Sequence, residues 1–477
     1  MLPSVRTARC AAPRSVAFVV LLLCALLASA SGCGNGRTAP ADIRRVVVLH
    51  LDTTRVDAIG CYGGHARTPA IDALCARGRR YTNAISPTPL TSPSIASFMT
   101  GKLSHESGVY TVGNVVKDKL ETLAEVLRRN GFATGGFTSN VVTANRSDGS
   151  SLGFDQGFDV YRAALDETPI PAGTDRRRFP RDNAAVLTRE ALAFVDQHAN
   201  DRFFLWMLFI DPHAPYAPPA PYDTMYANDP ALLGASRTLT REQIGGQAVV
   251  EGESQSAYYT SRYYGEVSLV DRSIGEIVQR VDALPGKTLW IVTADHGESL
   301  GEQDRWFQHG KTLGHACVDV PLIVACDGCV PPGTSDALVA NVDLAPTILD
   351  VLGIRADPLG LHGRSLVPTF AGADPWPDRV LPINVEHADR WRGVRTRTAV
   401  LQTRLQRPSG IPDQRLLYDV ERDPGETTNV AQARPDLLRH LEKVEASWFL
   451  ARKGEPEQDA RTEYEMTERL RALGYLD

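Results

Sequence analysis

The sequence predicts an α/β fold: a large, mostly parallel sheet sandwiched by helices, followed by a small C-terminal α+β subdomain. Three observations carry this. From Arg45 onward, short apolar runs alternate with amphipathic stretches, the pattern of βαβ units and parallel strands. Several of those runs end abruptly in polar residues, as strands do where their carboxyl ends face a ligand crevice. The chain has 477 residues, 43% hydrophobic and 23% charged, enough for one large core plus an appendage. Its formal net charge of -6 argues against a nucleic-acid partner, which calls for a basic face.

Taken in order, the chain opens with Arg6, Arg9 and Arg14, an apolar run from Val16 to Ala28, and then Ala30-Ser31-Gly32-Cys33. This reads as an export signal over 1–32 that ends in a lipobox, with lipidated Cys33 as the membrane attachment. Residues 33–43 form a polar tether, 44–375 the catalytic domain and 376–477 the small subdomain. Val46–Leu51 is a buried strand ending at Asp52. Helices are expected over Thr68–Arg77, Leu120–Asn130 and Ala184–Gln197, with a longer amphipathic one over Tyr263–Asp282. Strands are expected over Ala133–Thr138, followed by Asn140; over Phe203–Ile210, leading to His213; and over Thr288–Thr293, leading to Asp295-His296-Gly297-Glu298. Ala163–Arg181 and Pro218–Ser256 lack periodicity and read as loops around the mouth of a site. Short antiparallel strands over Arg392–Tyr418, a helix over Pro435–Trp448 and a peripheral helix within Gly454–Asp477 complete the chain.

Of eight cysteines, Cys10 and Cys24 fall in the leader and Cys33 in the lipobox. Cys61, Cys75, Cys317, Cys326 and Cys329 remain. Cys326-Asp-Gly-Cys329 suits a small disulfide-bonded turn in an oxidising compartment, and the odd total leaves at least one free thiol. A structural zinc site would want a second such pair, which the chain lacks.

The chemistry centres on Pro89-Leu90-Thr91-Ser92-Pro93-Ser94. Pro93 suits a first helical turn and Ser92 an N-cap, which places Thr91 just ahead of a helix N-terminus. Free N–H groups and the positive dipole end there favour an anionic ester. Asp52, Asp295, His296 and the Thr91 hydroxyl make a mixed O/N donor set for one divalent cation. Such an ion would turn a weak hydroxyl nucleophile into a strong one. Read blandly, each motif is a capped helix or a turn after a strand; their combination is what signals a site.

These segments resemble the sulfatase family, within the alkaline-phosphatase superfamily. Thr91–Gly101 (TSPSIASFMTG) is similar to the signature C/S-x-P-S-R-A-S-x-x-T-G, and Val48–Tyr62 resembles the opening metal-binding strand. Asp295–Glu302 with His309-Gly310-Lys311 resembles the late metal- and anion-binding segment, and Tyr418–Asn429 the C-terminal signature. The resemblance implies that Asp52, Thr91, Asp295 and His296 bind one ion of Mn2+, Zn2+, Mg2+ or Ca2+. It also implies that His213, His309 and Lys311 hold ester oxygens or protonate the leaving group, with Lys102 and His105 as further members. Two departures redirect the chemistry. The nucleophile position holds Thr91, and Ile95 stands where the family has the Arg that guides formylglycine formation, so no formylglycine is expected. Threonine at this position is similar to the nucleotide pyrophosphatase/phosphodiesterases and lipoteichoic acid synthases. The expectation is therefore a cell-envelope hydrolase of glycan- or lipid-linked anionic esters, phosphate (mono- or di-) ahead of sulfate. Its alternatives are a phosphoglycerol-type transferase and an inactive anion-binding lipoprotein.

Overall fold

The computed structural model describes residues 42–450 apart from 146–150, 172, 356–360, 373, 387–389 and 406–413. The export signal, lipobox and most of the tether, and the expected helix after Gly454, lie outside the described residues. Among those described, no helix is long and apolar enough to cross a membrane.

Eight strands build the main sheet: β1 (Ile43–Leu51), β2 (Gly78–Tyr81), β3 (Ala133–Thr138), β4 (Val160–Ala163), β5 (Phe203–Phe209), β6 (Lys287–Ala294), β7 (Leu322–Ala325) and β8 (Gly333–Ser335). Their spatial order is β8-β2-β7-β6-β1-β5-β3-β4. β1 runs parallel to both neighbours, β5 and β6, and only β7 runs antiparallel to the strands beside it. β1 and β5 read IRRVVVLHL and FFLWMLF, and both are almost wholly buried. Continuous apolar runs of this kind are what a strand covered on both faces requires.

The covering helices are α1 (Pro69–Ala76), α2 (Thr91–Thr100), α3 (Leu123–Arg129), α4 (Asn183–Gln197), α5 (Ser256–Asp282) and α6 (Leu344–Val351). Local chemistry explains their starts. Pro69 opens α1. Thr122 and Glu125 exchange backbone bonds in a capping box at α3, and Asp182 caps α4. α5 begins seven residues before the expected Tyr263. The run SAYYTSRYYG has no clear apolar period, but Tyr259 is buried against Phe307, with ring centroids 4.9 Å apart, so tertiary packing recruits the extra turns. α2 also starts earlier than expected: Leu90 is its N-cap, and Ser94 N bonds Leu90 O at 3.1 Å. Ser92 is not the cap, because its hydroxyl donates to Val142 O at 3.2 Å instead.

After the main sheet come β9 (Leu381–Glu386), β10 (Arg390–Arg395), β11 (Ala399–Arg404) and β12 (Gln414–Asp419), a four-stranded antiparallel meander, and α7 (Pro435–Leu450). This sheet shares a core with the front of the molecule: Leu381, Ile383, Trp391, Val400 and Tyr418 pack in one cluster with Ile85, Leu90, Leu313 and Val318. Leu90 directly precedes Thr91, so the C-terminal sheet buttresses the entry to α2. The segment Pro218–Ser256 is anchored as well, with Leu239, Ile244, Ala248 and Val250 buried in the main core. Cys326 and Cys329 are bonded to each other.

Candidate active site

Strand register sets the rim. Leu51 pairs with Phe209 of β5 and with Ala294 of β6, so the next residues, Asp52 and Asp295, emerge side by side. His213 follows the end of β5, and Asn140 follows the end of β3. The first turn of α2 is pinned to the same rim: Ser94 Oγ donates to Asp295 O at 2.7 Å, and Asn341 Nδ2 donates to Ala294 O at 3.0 Å and to Ser94 Oγ at 3.2 Å. That anchoring brings Thr91, at the first position of α2, over the strand ends.

Four side chains converge. The Thr91 hydroxyl lies 3.3 Å from His296 Nε2. The same nitrogen is 3.5 Å from Asp295 Oδ2 and 4.0 Å from Asp52 Oδ1. Neither carboxylate oxygen makes a well-formed hydrogen bond among the described residues, although both are fully buried, and the Thr91 side chain bears on the Asp295 carboxyl. The outer oxygens are satisfied. Asn140 Nδ2 donates to Asp52 Oδ2, while Asp295 Oδ1 accepts from Thr53 N at 3.2 Å and from His296 N at 2.8 Å. His296 Nδ1 faces Gly297 O at 3.0 Å. A proton on Nδ1 completes that bond and leaves Nε2 as a lone-pair donor, the usual way a metal-ligating imidazole is oriented.

Electrostatics agree with this geometry. Burial, and after it the charge of Asp295, pushes the Asp52 carboxyl well above its ordinary range. Burial likewise raises Asp295 and lowers His296 to about 4, so the imidazole is neutral. Buried carboxylate oxygens without donors are costly unless a cation faces them. The donor set fits one divalent ion, and Asp52, Asp295 and His296 form one of two metal-competent clusters among the described residues.

Behind this group stand two more imidazoles. The His309 ring is 4.4 Å from that of His296 and 5.0 Å from that of His213. His213 Nδ1 contacts Ala214 O at 2.6 Å, and burial lowers its pKa to about 4. Glu298, fully buried and pushed up to about 7 by that burial, reaches His309 Nδ1 with Oε1 at 3.3 Å and accepts from the Tyr216 hydroxyl at 3.1 Å. Lys311 follows Gly310, whose backbone lies so close to Leu90 that a Cβ there would sit 2.8 Å from Leu90 Cδ2. The His309–Lys311 turn therefore abuts the start of α2.

Lys102 and His105 do not join this group. They follow the C-terminal end of α2, a helix of ten residues and so about 15 Å long, whereas Thr91 begins it. His105 packs instead against the His362 and Trp448 rings, both at 5.9 Å. Three residues of the site went unassigned in the sequence. Asn140 and Glu298 hold other side chains in place; Glu298 lies inside the Asp295–Glu302 segment without a role of its own there, and Asn140 belongs to no motif. Thr53 takes a left-handed conformation with φ of 50°, uncommon for a β-branched residue, which aims its N–H at Asp295. The strand-end position of Asn140 was the available signal. Ile95 is fully buried in α2.

Comparison with known proteins adds the following. The family model described as Sulfatase matches residues 44–354, and that of the N-sulphoglucosamine sulphohydrolase C-terminal region matches residues 301–444. Choline-sulfatase of Rhizobium meliloti (strain 1021) is 25% identical over 414 residues, which span 76% of this chain and 77% of that protein. The structure of BT4656 in complex with its substrate D-glucosamine-2-N,6-O-disulfate superposes with a TM-score of 0.69 at 20% identity, covering 88% of this chain and 100% of the other. The phosphonate monoester hydrolase of Agrobacterium radiobacter also superposes with a TM-score of 0.69, at 22% identity and over 86% and 96% of the two chains. With both structures the likeness is one of fold.

Proposed function

The chain belongs to the sulfatase family of hydrolases, and from that premise we propose that it is a metal-dependent ester hydrolase of the cell envelope with Thr91 as nucleophile. Its substrates on this reading are glycan- or lipid-linked phosphate esters, mono- or di-, ahead of sulfate esters. One observation carries the reading: the Thr91 hydroxyl, at a helix N-terminus, lies 3.3 Å from the imidazole nitrogen that two buried carboxylate oxygens also face.

Asp52, Asp295, His296 and Thr91 would hold the ion, and the imidazole donor favours Mn2+ or Zn2+ over Ca2+. When bound, a divalent cation supplies charge that acidifies a neighbouring hydroxyl and offsets negative charge on an attacked ester. The chain's own groups do the rest. Attack forms the bond from Thr91 Oγ1 to phosphorus and breaks the bond to the leaving alcohol. One proton moves from the hydroxyl, by way of the His213 and His309 imidazoles, to the departing oxygen. Glu298 holds the His309 ring for this through Nδ1. The α2 N-terminus and Lys311 steady the ester oxygens. Water then opens the phospho-Thr91 ester at phosphorus and restores the hydroxyl.

The choice of phosphorus rests on Thr91. Its ester has no second hydroxyl to expel the anion, so a second attack must fall on the central atom, which is tractable at phosphorus and slow at sulfate. Threonine is also no substrate for formylglycine formation. The same fold serves a phosphonate monoester hydrolase and an enzyme acting on a sulfated glucosamine, so the fold itself admits either centre. The lipobox at Ala30-Ser31-Gly32-Cys33 is the support for an envelope location. Parallel assays with bis-aryl phosphate, aryl phosphate and aryl sulfate across Mn2+, Zn2+, Mg2+ and Ca2+ test the reading. Diester or monoester turnover lost in Thr91→Ala, with a phosphorylated Thr91 trapped by mass spectrometry, is the expected result. An unchanged rate in that variant would remove the mechanism.

A further inference from the structure

Two cysteines that the mechanism does not use meet across the loop that follows Asp52. Cys61 is half-buried in the 3-10 turn Gly60–Tyr62, and Cys75 is buried on α1. The turn is held down on the helix. Cys61 N donates to Asp72 Oδ1 at 2.7 Å, and Gly60 N donates to Thr68 Oγ1 at 2.8 Å. The approach is so close that a Cβ at Gly60 would lie 2.5 Å from Asp72 Oδ2. Asp72 and Cys75 are three residues apart and share a face of α1. That places the Cys61 and Cys75 side chains at one turn–helix junction, where each thiol shifts the ionisation of the other.

We propose that Cys61 and Cys75 are a disulfide-forming pair, a second staple beside Cys326–Cys329 that leaves Cys317 as the free thiol among the described residues. In the cell the bond needs an oxidising compartment, and to that extent the inference rests on the export proposed above. The step balances against a small-molecule disulfide such as glutathione disulfide. One of the two thiols attacks it as the thiolate, forms a mixed disulfide and releases one glutathione. The other then attacks the protein sulfur of that mixed disulfide, and the second glutathione leaves. Two protein thiols give up two electrons and two protons, and one disulfide becomes two thiols.

The contact with Cys61 and the Arg80 guanidinium hold the Cys75 thiol below its ordinary pKa against the opposing effect of burial, and the same contact pushes Cys61 up, so Cys75 is the readier thiolate. Arg80 is fixed there by its bond to Cys61 O. A metal is a poorer occupant: Asp72 Oδ1 already accepts from Cys61 N and, at 3.0 Å, from Thr68 Oγ1, so no third ligand is on offer from that atom. The bond would close a loop from Cys61 to Cys75 just downstream of Asp52 and restrict the unfolded chain.

Peptide mapping of the full-length protein tests the pair without mutation. Trypsin places Cys61 in Val56–Arg67 and Cys75 in Thr68–Arg77. In protein alkylated without reduction from the envelope fraction, the two peptides should run as one linked species that dithiothreitol splits. A second arm reduces the purified protein and equilibrates it with glutathione disulfide. A link in the second arm alone supports the pair and counts against export; alkylated, unlinked peptides in both arms overturn the pair. Reductant should also lower the Tm of the oxidised wild type by several degrees more than that of Cys75→Ser. An equal drop in both would overturn the staple.

Discussion

Two carboxylate oxygens, Asp52 Oδ1 and Asp295 Oδ2, are buried without a well-formed hydrogen bond among the described residues, and this makes single residues in the site act with opposite sign on stability and on function. Asp52→Asn removes a repelling charge. In metal-free protein it should therefore melt at a higher temperature than wild type. With saturating Mn2+ or Zn2+ the order should reverse, since only wild type gains the full binding energy. Thermal melts with chelator and with metal measure both halves, and the same order under both conditions would contradict a cation site. Asn140→Ala frees Asp52 Oδ2 from its anchor, and metal affinity should fall by about 10–100-fold while the ligands themselves remain. Isothermal titration reads this directly. Thr91→Ala should bind metal to within a few fold of wild type yet lose turnover. Sequence reading grouped Asp52, Asp295 and His296, which the fold brings together, because carboxylates and imidazoles at strand ends are conspicuous. It left Asn140 without a role because an amide that orients a ligand has no spacing rule.

At the level of elements, the end of α2 and the tie of the C-terminal segment each have their own test. Gly101 ends the helix in the left-handed region, at φ of 63°, and a Cβ there would meet Leu361 Cδ2 at 2.4 Å. Gly101→Ala should cost more than about 1 kcal/mol, read by urea titration, from strain and crowding together. The C-terminal segment is tied back by Arg379, which makes bidentate bonds of 2.6 and 2.7 Å to Asp343, the fully buried residue ahead of α6. Removing one partner of such a pair strands the other charge, so Arg379→Leu should destabilise by about 3–5 kcal/mol. Helix α5 shows where element boundaries escape the sequence. Its first turns are held by Tyr259 against Phe307, a contact between residues far apart in the chain.

For the molecule as a whole, the apolar cluster joining Leu90 and Val318 to Leu381, Trp391 and Tyr418 makes the antiparallel sheet part of one cooperative unit. A single calorimetric transition for residues 42 onward is expected, and two resolved transitions would show the sheet unfolding alone. Stability should also carry a pH signature away from the site. Burial raises Asp211 to about 7, well above its unfolded value near 4. The folded state then binds the extra proton between those values, so this contribution is fully present in acid and is lost as pH rises through about 7. The Tm of wild type relative to Asp211→Asn should fall steadily from pH 5 to pH 8. A constant difference would show that the carboxyl titrates normally.

Apolar runs ending in Asp52, His213 and Asp295 were enough to announce a mostly parallel α/β sheet with chemistry at one edge, because strand burial and strand-end ligands are written in local composition. Tertiary structure alone decided which polar residues share that edge. The bond from Ser94 to Asp295 O swings Thr91 over the rim, and packing of the His309 ring against His296 and edge-on to His213 assembles the imidazoles. The same packing leaves Lys102 and His105 a helix length away. Proximity across the sheet depends on register and on side-chain contacts between segments hundreds of residues apart, and no local pattern encodes it.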